Sequence, residues 1–369
     1  MSFTPLRSLK VLLTITALCG AAATGCDSAE LAEDCDEGVQ TLRPGTIGDF
    51  TFNTSNWVSG ASRDIYEFDR TGAWRSNGYG FENKLDEIMF DHPELGVITT
   101  NPGTPPQQGV VRVELATSGK FELKVFRPGE PPESFCGADL VGVELGFQTR
   151  YNGGSQYATR IRVMHYKPDP AAGELFEFHK VNLQTNDLLA PICETDTRDE
   201  RFTVVYDHLS IDVDTGAATD TPDVFHLACT ASAPGKSALY GYKPTDRDAF
   251  LLANRVIRAD YCADGHPYTF PGNSLVILDN FSPDQEGTTL ADAYDYAQAN
   301  GHTLEAMWDE NGIICVDTPR VESLTRLDVL CPVKNKNGTE KHNWRPPNCQ
   351  DFNDAPSPGL RFYSLTAPE

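Results

Sequence analysis

The chain has 369 residues, of which 53 are acidic and 30 basic, giving a formal net charge of −23 at pH 7. A surface this acidic repels phosphate backbones, whose affinity for proteins depends largely on cationic contacts, so no nucleic-acid partner is expected. With 40% hydrophobic residues, 30 Gly and 25 Pro, the chain can bury a core but is rich in turns. Its length suggests two domains in addition to any export signal.

The first 26 residues have the pattern of a bacterial export signal. Arg7 and Lys10 form a charged start, residues 11–23 form an apolar run, and small residues lead directly into Cys26. The run is shorter than the ~20 residues that a helix needs to cross a bilayer, which indicates a cleaved signal and not a membrane span. Small residues before a cysteine resemble the lipobox of bacterial lipoproteins, which implies that Cys26 is lipidated. The alternative is ordinary cleavage near residues 21–23, which would leave Cys26 as a plain thiol.

We therefore predict that residues 1–26 are a lipoprotein signal peptide and that residues 27–48 are an acidic linker. Several acyl chains on one terminus anchor a protein more firmly than a single chain does. The expected partner is thus a membrane, reached through the N-terminal lipid. The expected location is the cell envelope, at the outer membrane, on its periplasmic side or at the cell surface.

Residues 49–215 are predicted to form an antiparallel β-domain. Residues 110–115 and 121–126 alternate apolar and polar side chains around a turn cluster at residues 117–120, as in a β-hairpin. Further strand patterns, separated by turn residues, occur at residues 140–149, 158–165, 174–181 and 202–213. Consecutive strands separated in this way favour a sandwich or a barrel-like sheet.

An aromatic cluster near the start of this domain has two interpretations. Trp74, Tyr79 and Phe81 lie within one stretch of eight residues and could form a platform on which a sugar ring stacks. They could equally belong to the core, and we favour the core because aromatic side chains are usually buried for their large area. A protein or glycan partner remains open on this pattern.

Asp212, Asp214 and Asp220, at the end of the β-domain, are a candidate calcium site. Hard cations take several oxygen ligands at close spacing, and alternate aspartates on a loop can supply them. The stretch lacks the third acid or Asn and the final Glu of an EF-hand loop. The alternative is a plain solvated turn. The sequence indicates no cofactor.

Residues 216–369 are predicted to form a smaller α+β domain with a loop-rich C-terminal tail. The elements expected in chain order are a strand at 225–229, a helix at 245–260, a strand at 274–279, a helix at 289–300, a short helix at 304–308 and a strand at 313–316. Thr245 with Asp248, and Thr289 with Asp292, have the spacing of helix-starting capping pairs. The whole chain is therefore expected to be α+β and β-rich.

Residues 254–270 hold more chemically usable side chains than any other window of the sequence. The stretch contains Asp260, Cys262, Asp264 and His266 at the end of the predicted helix. Its tetrapeptide Ala-Asp-Tyr-Cys at residues 259–262 resembles the ADYC domain, which occurs in secreted proteins and lipoproteins, many of them myxobacterial. Further similarity to that domain extends over about residues 222–350 and includes the segment 235–244. The resemblance implies no established activity.

The cysteines predict disulfide bonds. Of ten cysteines, Cys19 leaves with the signal and Cys26 carries the lipid. Eight remain, namely Cys35, Cys136, Cys193, Cys229, Cys262, Cys315, Cys331 and Cys349. An even set in an oxidising compartment predicts up to four bridges. Three of the eight precede residue 216 and five follow it, so complete pairing requires a bridge across that boundary, which we expect to start from Cys193.

Two classes of function compete for the segment 254–270. Cys262 and His266 could form a nucleophile and base, oriented by Asp260 or Asp264, or the acids could act as a pair. Against this stand the oxidising compartment, the even cysteine count and the nearness of these residues in sequence. The common hydrolase signatures are also absent. The sequence thus favours a disulfide-stapled, lipid-anchored interaction or surface-structural module, and the alternative is an envelope hydrolase using Asp260, Asp264 and His266 or a Cys262–His266 pair.

Overall fold

The computed structural model describes residues 63–116, 118–214, 216–269, 274–282, 285–321, 323–334, 340–352 and 359–366. The expected signal peptide, the lipidation site at Cys26, the acidic linker and Cys35 lie outside these residues. Within the described ranges, no helix is both long enough and apolar enough to span a bilayer.

The described residues form antiparallel sheets and three α-helices, as the α+β, β-rich prediction requires. The strands are β1 (Glu67–Asp69), β2 (Arg75–Ser76), β3 (Phe81–His92), β4 (Gly96–Thr100), β5 (Arg112–Leu115), β6 (Glu122–Phe126), β7 (Glu133–Cys136), β8 (Glu144–Tyr151), β9 (Tyr157–Asp169), β10 (Gly173–Val181), β11 (Leu188–Pro191), β12 (Thr203–Ile211), β13 (Ala218–Cys229), β14 (Leu275–Asp279), β15 (Thr303–Asp309), β16 (Gly312–Val316), β17 (Cys331–Lys334), β18 (Glu340–Trp344) and β19 (Phe362–Thr366). The helices are α1 (Ala233–Leu239), α2 (Arg247–Arg258) and α3 (Leu290–Asn300).

A ten-stranded antiparallel sheet is the largest element of the fold. Its order is β1-β13-β12-β10-β9-β8-β3-β2, with β11 on β10 and β4 on β3. A three-stranded sheet, β5-β6-β7, shares a core with it, since the buried Val113 and Leu123 belong to the same hydrophobic cluster as Leu145. Phe121, just before β6, packs edge-on against Phe176 of the large sheet at 5.2 Å between ring centroids. The predicted hairpin of β5 and β6 is therefore confirmed, and the predicted antiparallel β-domain contains two sheets that share one core.

A four-stranded antiparallel sheet, β14-β19-β15-β16, lies between helices. One face packs with α2 in the cluster that includes Phe250, Ile277 and Trp308, and the other packs with α3 in the cluster that includes Leu278 and Ala297. Helix α2 also contacts the large sheet, where the Phe250 ring lies 5.6 Å from the Tyr206 ring. Helix α2 is therefore buried between two sheets, and its C-terminal end, which the Ala-Asp-Tyr-Cys motif at residues 259–262 follows directly, is an internal joint.

Two local predictions need correction, and one helix was missed. Residues 304–308 form strand β15 and not a helix, because the strand pairs with both β16 and β19, and five residues are too few for periodicity to separate the two structures. Helix α2 is capped by Asp246 and not by Thr245, since the Asp246 carboxylate accepts the Ala249 N–H. Helix α1 was not predicted. By contrast, α3 begins at the predicted capping box of Thr289 and Asp292.

The boundary expected at residues 215 and 216 falls between β12 and β13. These strands pair from Thr203 opposite Cys229 to Ile211 opposite Ala218. One hydrophobic cluster also contains residues from both sides of the boundary, such as Tyr66 and Ile257. The division into two domains at this boundary stays a prediction.

Three disulfide bonds join described cysteines. Cys193 is bonded to Cys229, so the bridge expected from Cys193 across the boundary is present. Cys262 is bonded to Cys331, and Cys315 to Cys349. Cys136 is disulfide-bonded as well. The bridges of Cys262 and Cys315 therefore hold the C-terminal part of the chain to α2 and to the four-stranded sheet β14-β19-β15-β16, called the small sheet below.

Candidate functional site

Tyr261 is the central side chain of the motif. Helix α2 ends at Arg258, and Ala259 takes a left-handed backbone conformation with φ 49°, which turns the chain back into the core. The Tyr261 ring then stacks on Trp308 at 5.4 Å between centroids, and its hydroxyl donates to Glu305 Oε1 at 2.6 Å. Burial, followed by the neighbouring Glu305 carboxylate, raises the pKa of the Tyr261 phenol well above its usual range. Tyr261 is thus a core residue, and its hydroxyl acts as a hydrogen-bond donor.

A buried ion pair completes this joint. Glu305 and Arg320 have fully buried side chains and lie 2.6 Å apart, and the Arg320 backbone N–H donates to the Tyr261 hydroxyl. The Arg320 guanidinium also donates to the carbonyls of Val256 at 2.8 Å and Ile257 at 2.9 Å. These carbonyls belong to the last turn of α2, where the regular helical donors run out, although the Val256 carbonyl also accepts the Ala259 N–H at 3.1 Å. Arg320 therefore caps the helix that carries the motif.

Sequence reasoning missed Glu305 and Arg320. A signal was present, because Glu305 is a lone acid within an apolar run, and a charge that is buried with such a run needs a partner. The sequence did not indicate that the partner was Arg320, which follows β16 and reaches α2 only in the folded chain.

Asp260 lies inside the joint. Its side chain is fully buried, and its carboxylate accepts the backbone N–H groups of Asp264 at 3.2 Å and Gly265 at 3.0 Å. Arg258 lies 3.9 Å from the same carboxylate and donates to the Gly265 carbonyl at 2.8 Å. Burial raises the pKa of Asp260 to about 6, although Arg258 and the two N–H groups oppose the shift. Asp260 and Arg258 together hold the loop that follows the helix.

Asp264 and His266 lie on the outside of that loop. Both residues are exposed, and the Asp264 carboxylate accepts the His266 backbone N–H at 3.0 Å. The His266 ring packs edge-on against Tyr268 at 4.9 Å. Because Asp260 faces the interior, the three candidate residues do not converge on one cleft.

Cys262 is not available as a nucleophile in this structure. Its sulfur is bonded to Cys331, the first residue of β17, so the bridge ties the end of α2 to a strand. The catalytic interpretation of the Cys262–His266 pair is therefore wrong for the oxidised chain.

The other segment that resembles the ADYC domain, residues 235–244, is also built into the core. A Cβ at Gly235 would lie 2.2 Å from the Cys229 carbonyl oxygen, so only glycine fits this close approach. The Tyr240 hydroxyl donates to the Leu275 carbonyl at 2.5 Å, and the Tyr242 hydroxyl donates to Asp279 at 2.9 Å. Burial lowers the pKa of the Lys236 ammonium to about 8, opposed by the nearby Asp196 carboxylate. The segment thus joins α1 to the small sheet.

Two aspartates of the candidate calcium site, Asp212 and Asp214, lie in the turn between β12 and β13, and Asp220 lies within β13. The Asp212 carboxylate accepts the Asp214 N–H at 2.9 Å, as in a local turn. Among the residues that the structure describes, no group of three or more His, Cys, Asp or Glu side chains is arranged to hold a metal ion. The calcium hypothesis finds no support in this geometry and stays a prediction.

The aromatic cluster at Trp74, Tyr79 and Phe81 is only partly buried, and of these Tyr79 packs against the core. Trp74 is 38% exposed, and Tyr79 and Phe81 are half-buried. The core interpretation is therefore wrong for Trp74, and Tyr79 and Phe81 are buried only in part.

A family model described as the ADYC domain matches residues 137–322, which is half of the chain. The matched range includes strands of the large sheet as well as residues 235–244 and the motif at residues 259–262. No curated protein and no solved structure matches the chain.

Proposed function

Because the chain belongs to the ADYC domain family, we propose that the segment for which the family is named is structural, and that the protein is a non-catalytic interaction or surface-structural module of the cell envelope. The main support is the arrangement of the motif itself. The Tyr261 hydroxyl, the Asp260 carboxylate and the Cys262 sulfur are all engaged by the protein's own groups. A side chain that is held in this way has little capacity left for a substrate.

The disulfide bonds support the proposed compartment. Bridges persist in oxidising surroundings such as the periplasm or the cell surface and are rare in the cytosol. Together with the export signal at residues 1–26, they favour a chain that is secreted and then anchored through lipid on Cys26.

The first prediction concerns this anchor. In a bacterium that is fed labelled palmitate, Cys26→Ala is expected to lose the label and to move from the membrane fraction to the soluble fraction, because its first acyl-bearing residue is gone. Cys19→Ala is the matched control, since Cys19 lies within the signal and should leave labelling and location unchanged. A Cys26→Ala chain that remains labelled and membrane-bound contradicts the anchor.

The second prediction follows from the buried carboxylate of the motif. Asp260→Asn is expected to gain stability relative to the native chain as the pH rises from about 4 to about 7. Burial raises the folded-state pKa of Asp260 from its ordinary value of 3.8 to about 6, so the folded chain holds the proton more tightly than the unfolded chain does. The associated stabilisation is fully present below the unfolded value, is lost as the pH rises through about 6, and amounts to roughly 3 kcal/mol.

The measurement is the free energy of urea unfolding of both chains across that pH range. Other titrating groups are common to the two chains, so their contributions cancel in the difference. Parallel profiles would show that the Asp260 carboxyl is not held in a desolvated site.

The competing envelope hydrolase has no supporting observation. Its cysteine is bonded, Asp260 has no access to solvent, and only Asp264 and His266 remain at the surface.

A further inference from the structure

An open cleft at one end of the large sheet is lined by four aromatic side chains. Its volume is about 600 Å³, and the rings are those of Tyr79, Phe81, Tyr151 and Tyr157. Phe81 begins β3 and is paired in register with Tyr151, the last residue of β8. Tyr157 begins β9, where it pairs with Thr149 of β8. Strand ends and register therefore bring together aromatic residues from three neighbouring strands.

The rings present their area to solvent. Tyr151 is 53% exposed and Tyr157 is 42% exposed, and the Phe81 and Tyr151 rings lie 4.9 Å apart between centroids. Contiguous exposed aromatic surface is uncommon on a soluble protein and marks an interaction site. Tyrosine offers a large, rigid contact area with a polar end, at low cost in conformational entropy.

Charged side chains are fixed around the rings. Asp64 and Lys180, which also line the cleft, form an ion pair at 2.9 Å. The Arg63 guanidinium lies over the Tyr79 ring at 5.0 Å from its centroid. The cleft thus combines flat apolar faces with donors and acceptors whose positions are held by the protein.

We propose that this cleft binds a glycan. A sugar ring has C–H faces that pack on the electron-rich face of an aromatic ring, and hydroxyl groups at its rim that both donate and accept hydrogen bonds. The three tyrosine hydroxyls, the Asp64 carboxylate and the Lys180 ammonium supply matching groups. The open shape suits a stretch of a chain of sugars better than an enclosed small molecule.

Two other ligand classes fit the cleft less well. Single-stranded nucleic acid also stacks on aromatic rings, but its phosphates would face a chain with a net charge of −23. Proline-rich peptides dock in aromatic-lined grooves, but they carry few hydrogen-bonding groups, so they would leave the tyrosine hydroxyls and the outer side of the Asp64–Lys180 pair without new partners. A glycan satisfies both the rings and the charged groups.

This inference gives a ligand class to the interaction role proposed above and rests on that role, but it does not depend on the lipid anchor. Binding is therefore measured on the full chain with Cys26→Ala, so that a failure of anchoring and a failure of glycan binding are seen in separate experiments.

The test is native affinity electrophoresis in gels that contain a soluble β-glucan, solubilised peptidoglycan fragments or lipopolysaccharide core oligosaccharide. We expect at least one of these probes to retard the chain, and we expect Tyr151→Ala with Tyr157→Ala to weaken that retardation by at least about tenfold. Tyr151→Phe keeps the ring and should retain most of the binding. Val97→Ala, at a residue of the same sheet that is 69% exposed but lies outside the cleft, is the matched control.

Three results would overturn the proposal. The first is no retardation by any of the three probes. The second is retardation that the double tyrosine variant leaves unchanged while circular dichroism shows it to be folded. The third is competition at the cleft by a proline-rich peptide that binds more tightly than every glycan tested. A double variant that does not fold is replaced by Tyr157→Ser alone, which is judged by the same criterion.

Discussion

Glu305→Ala is expected to lower the free energy of unfolding by about 3 to 5 kcal/mol, because it removes one partner of a fully buried ion pair. The Arg320 charge would remain in the interior without its carboxylate, 2.6 Å away in the native chain. The Tyr261 hydroxyl would lose its acceptor at the same time. A buried polar group without a partner costs its full desolvation energy. The unpaired Arg320 guanidinium and the unpaired Tyr261 hydroxyl therefore both contribute to the loss of stability.

The measurement is urea unfolding of the oxidised chain, with Glu310→Ala as the control. Glu310 is an exposed acid on the same hairpin of β15 and β16, and its substitution should change the free energy of unfolding by no more than about 0.5 kcal/mol. A Glu305→Ala effect as small as the control's would contradict the proposed joint.

A double-mutant cycle tests whether the pair acts as a unit. The double variant Glu305→Leu with Arg320→Met should lose less stability than the sum of the single variants, with a coupling of about 1 to 3 kcal/mol. It should still be less stable than the native chain, since a methionine side chain has no N–H group to donate to the carbonyls at the end of α2. Additive single effects would assign the two residues to independent roles.

Local signals in the sequence predicted about half of the strands and two of the three α-helices that the structure describes. The hairpin of β5 and β6 was evident from alternation around a turn, and α3 from its capping box and its closing glycine, Gly301. Cysteine parity likewise predicted a bridge from Cys193 across residue 216. These features depend on neighbouring residues or on simple counting, so no tertiary information was needed.

The elements that sequence reasoning missed depend on contacts between distant parts of the chain. Residues 304–308 became a strand because β19, near the C-terminus, pairs with them. Arg320 meets Glu305 and the end of α2 only after the small sheet has formed. The exposure of Tyr151 and Tyr157 depends on where β8 and β9 end relative to β3, and register of this kind cannot be read from composition.

The motif at residues 259–262 shows the same difference between what local sequence suggests and what distant contacts determine. Its residue types suggested an active site, because an acid, a cysteine and a histidine lie close in sequence. The structure assigns Asp260 to a loop and Cys262 to a bridge, which leaves Asp264 and His266 on the surface. A dense set of reactive side chains can therefore reflect the needs of a buried helix end, where charges and hydrogen-bonding groups must be satisfied.

Replacing both Cys262 and Cys331 with alanine is expected to lower the free energy of unfolding by about 4 kcal/mol, because the bridge closes a long loop. The two cysteines are 69 residues apart in sequence. Alanine at both positions avoids a lone thiol, which could exchange with the other bridges. The tie between the end of α2 and β17 would be lost, while Tyr261 and Glu305 would keep their hydrogen bond.

The bridge between Cys315 and Cys349 provides the comparison, since its cysteines are 34 residues apart. Removing it in the same way should cost about 0.6 kcal/mol less, because loop-closure entropy changes slowly with length. Iodoacetamide should label Cys262 only after reduction. If the double alanine variant has the same urea midpoint as the native chain, the bridge does not stabilise the fold. If Cys262 in the native chain is labelled without reduction, it is a free thiol and becomes a candidate for chemistry again.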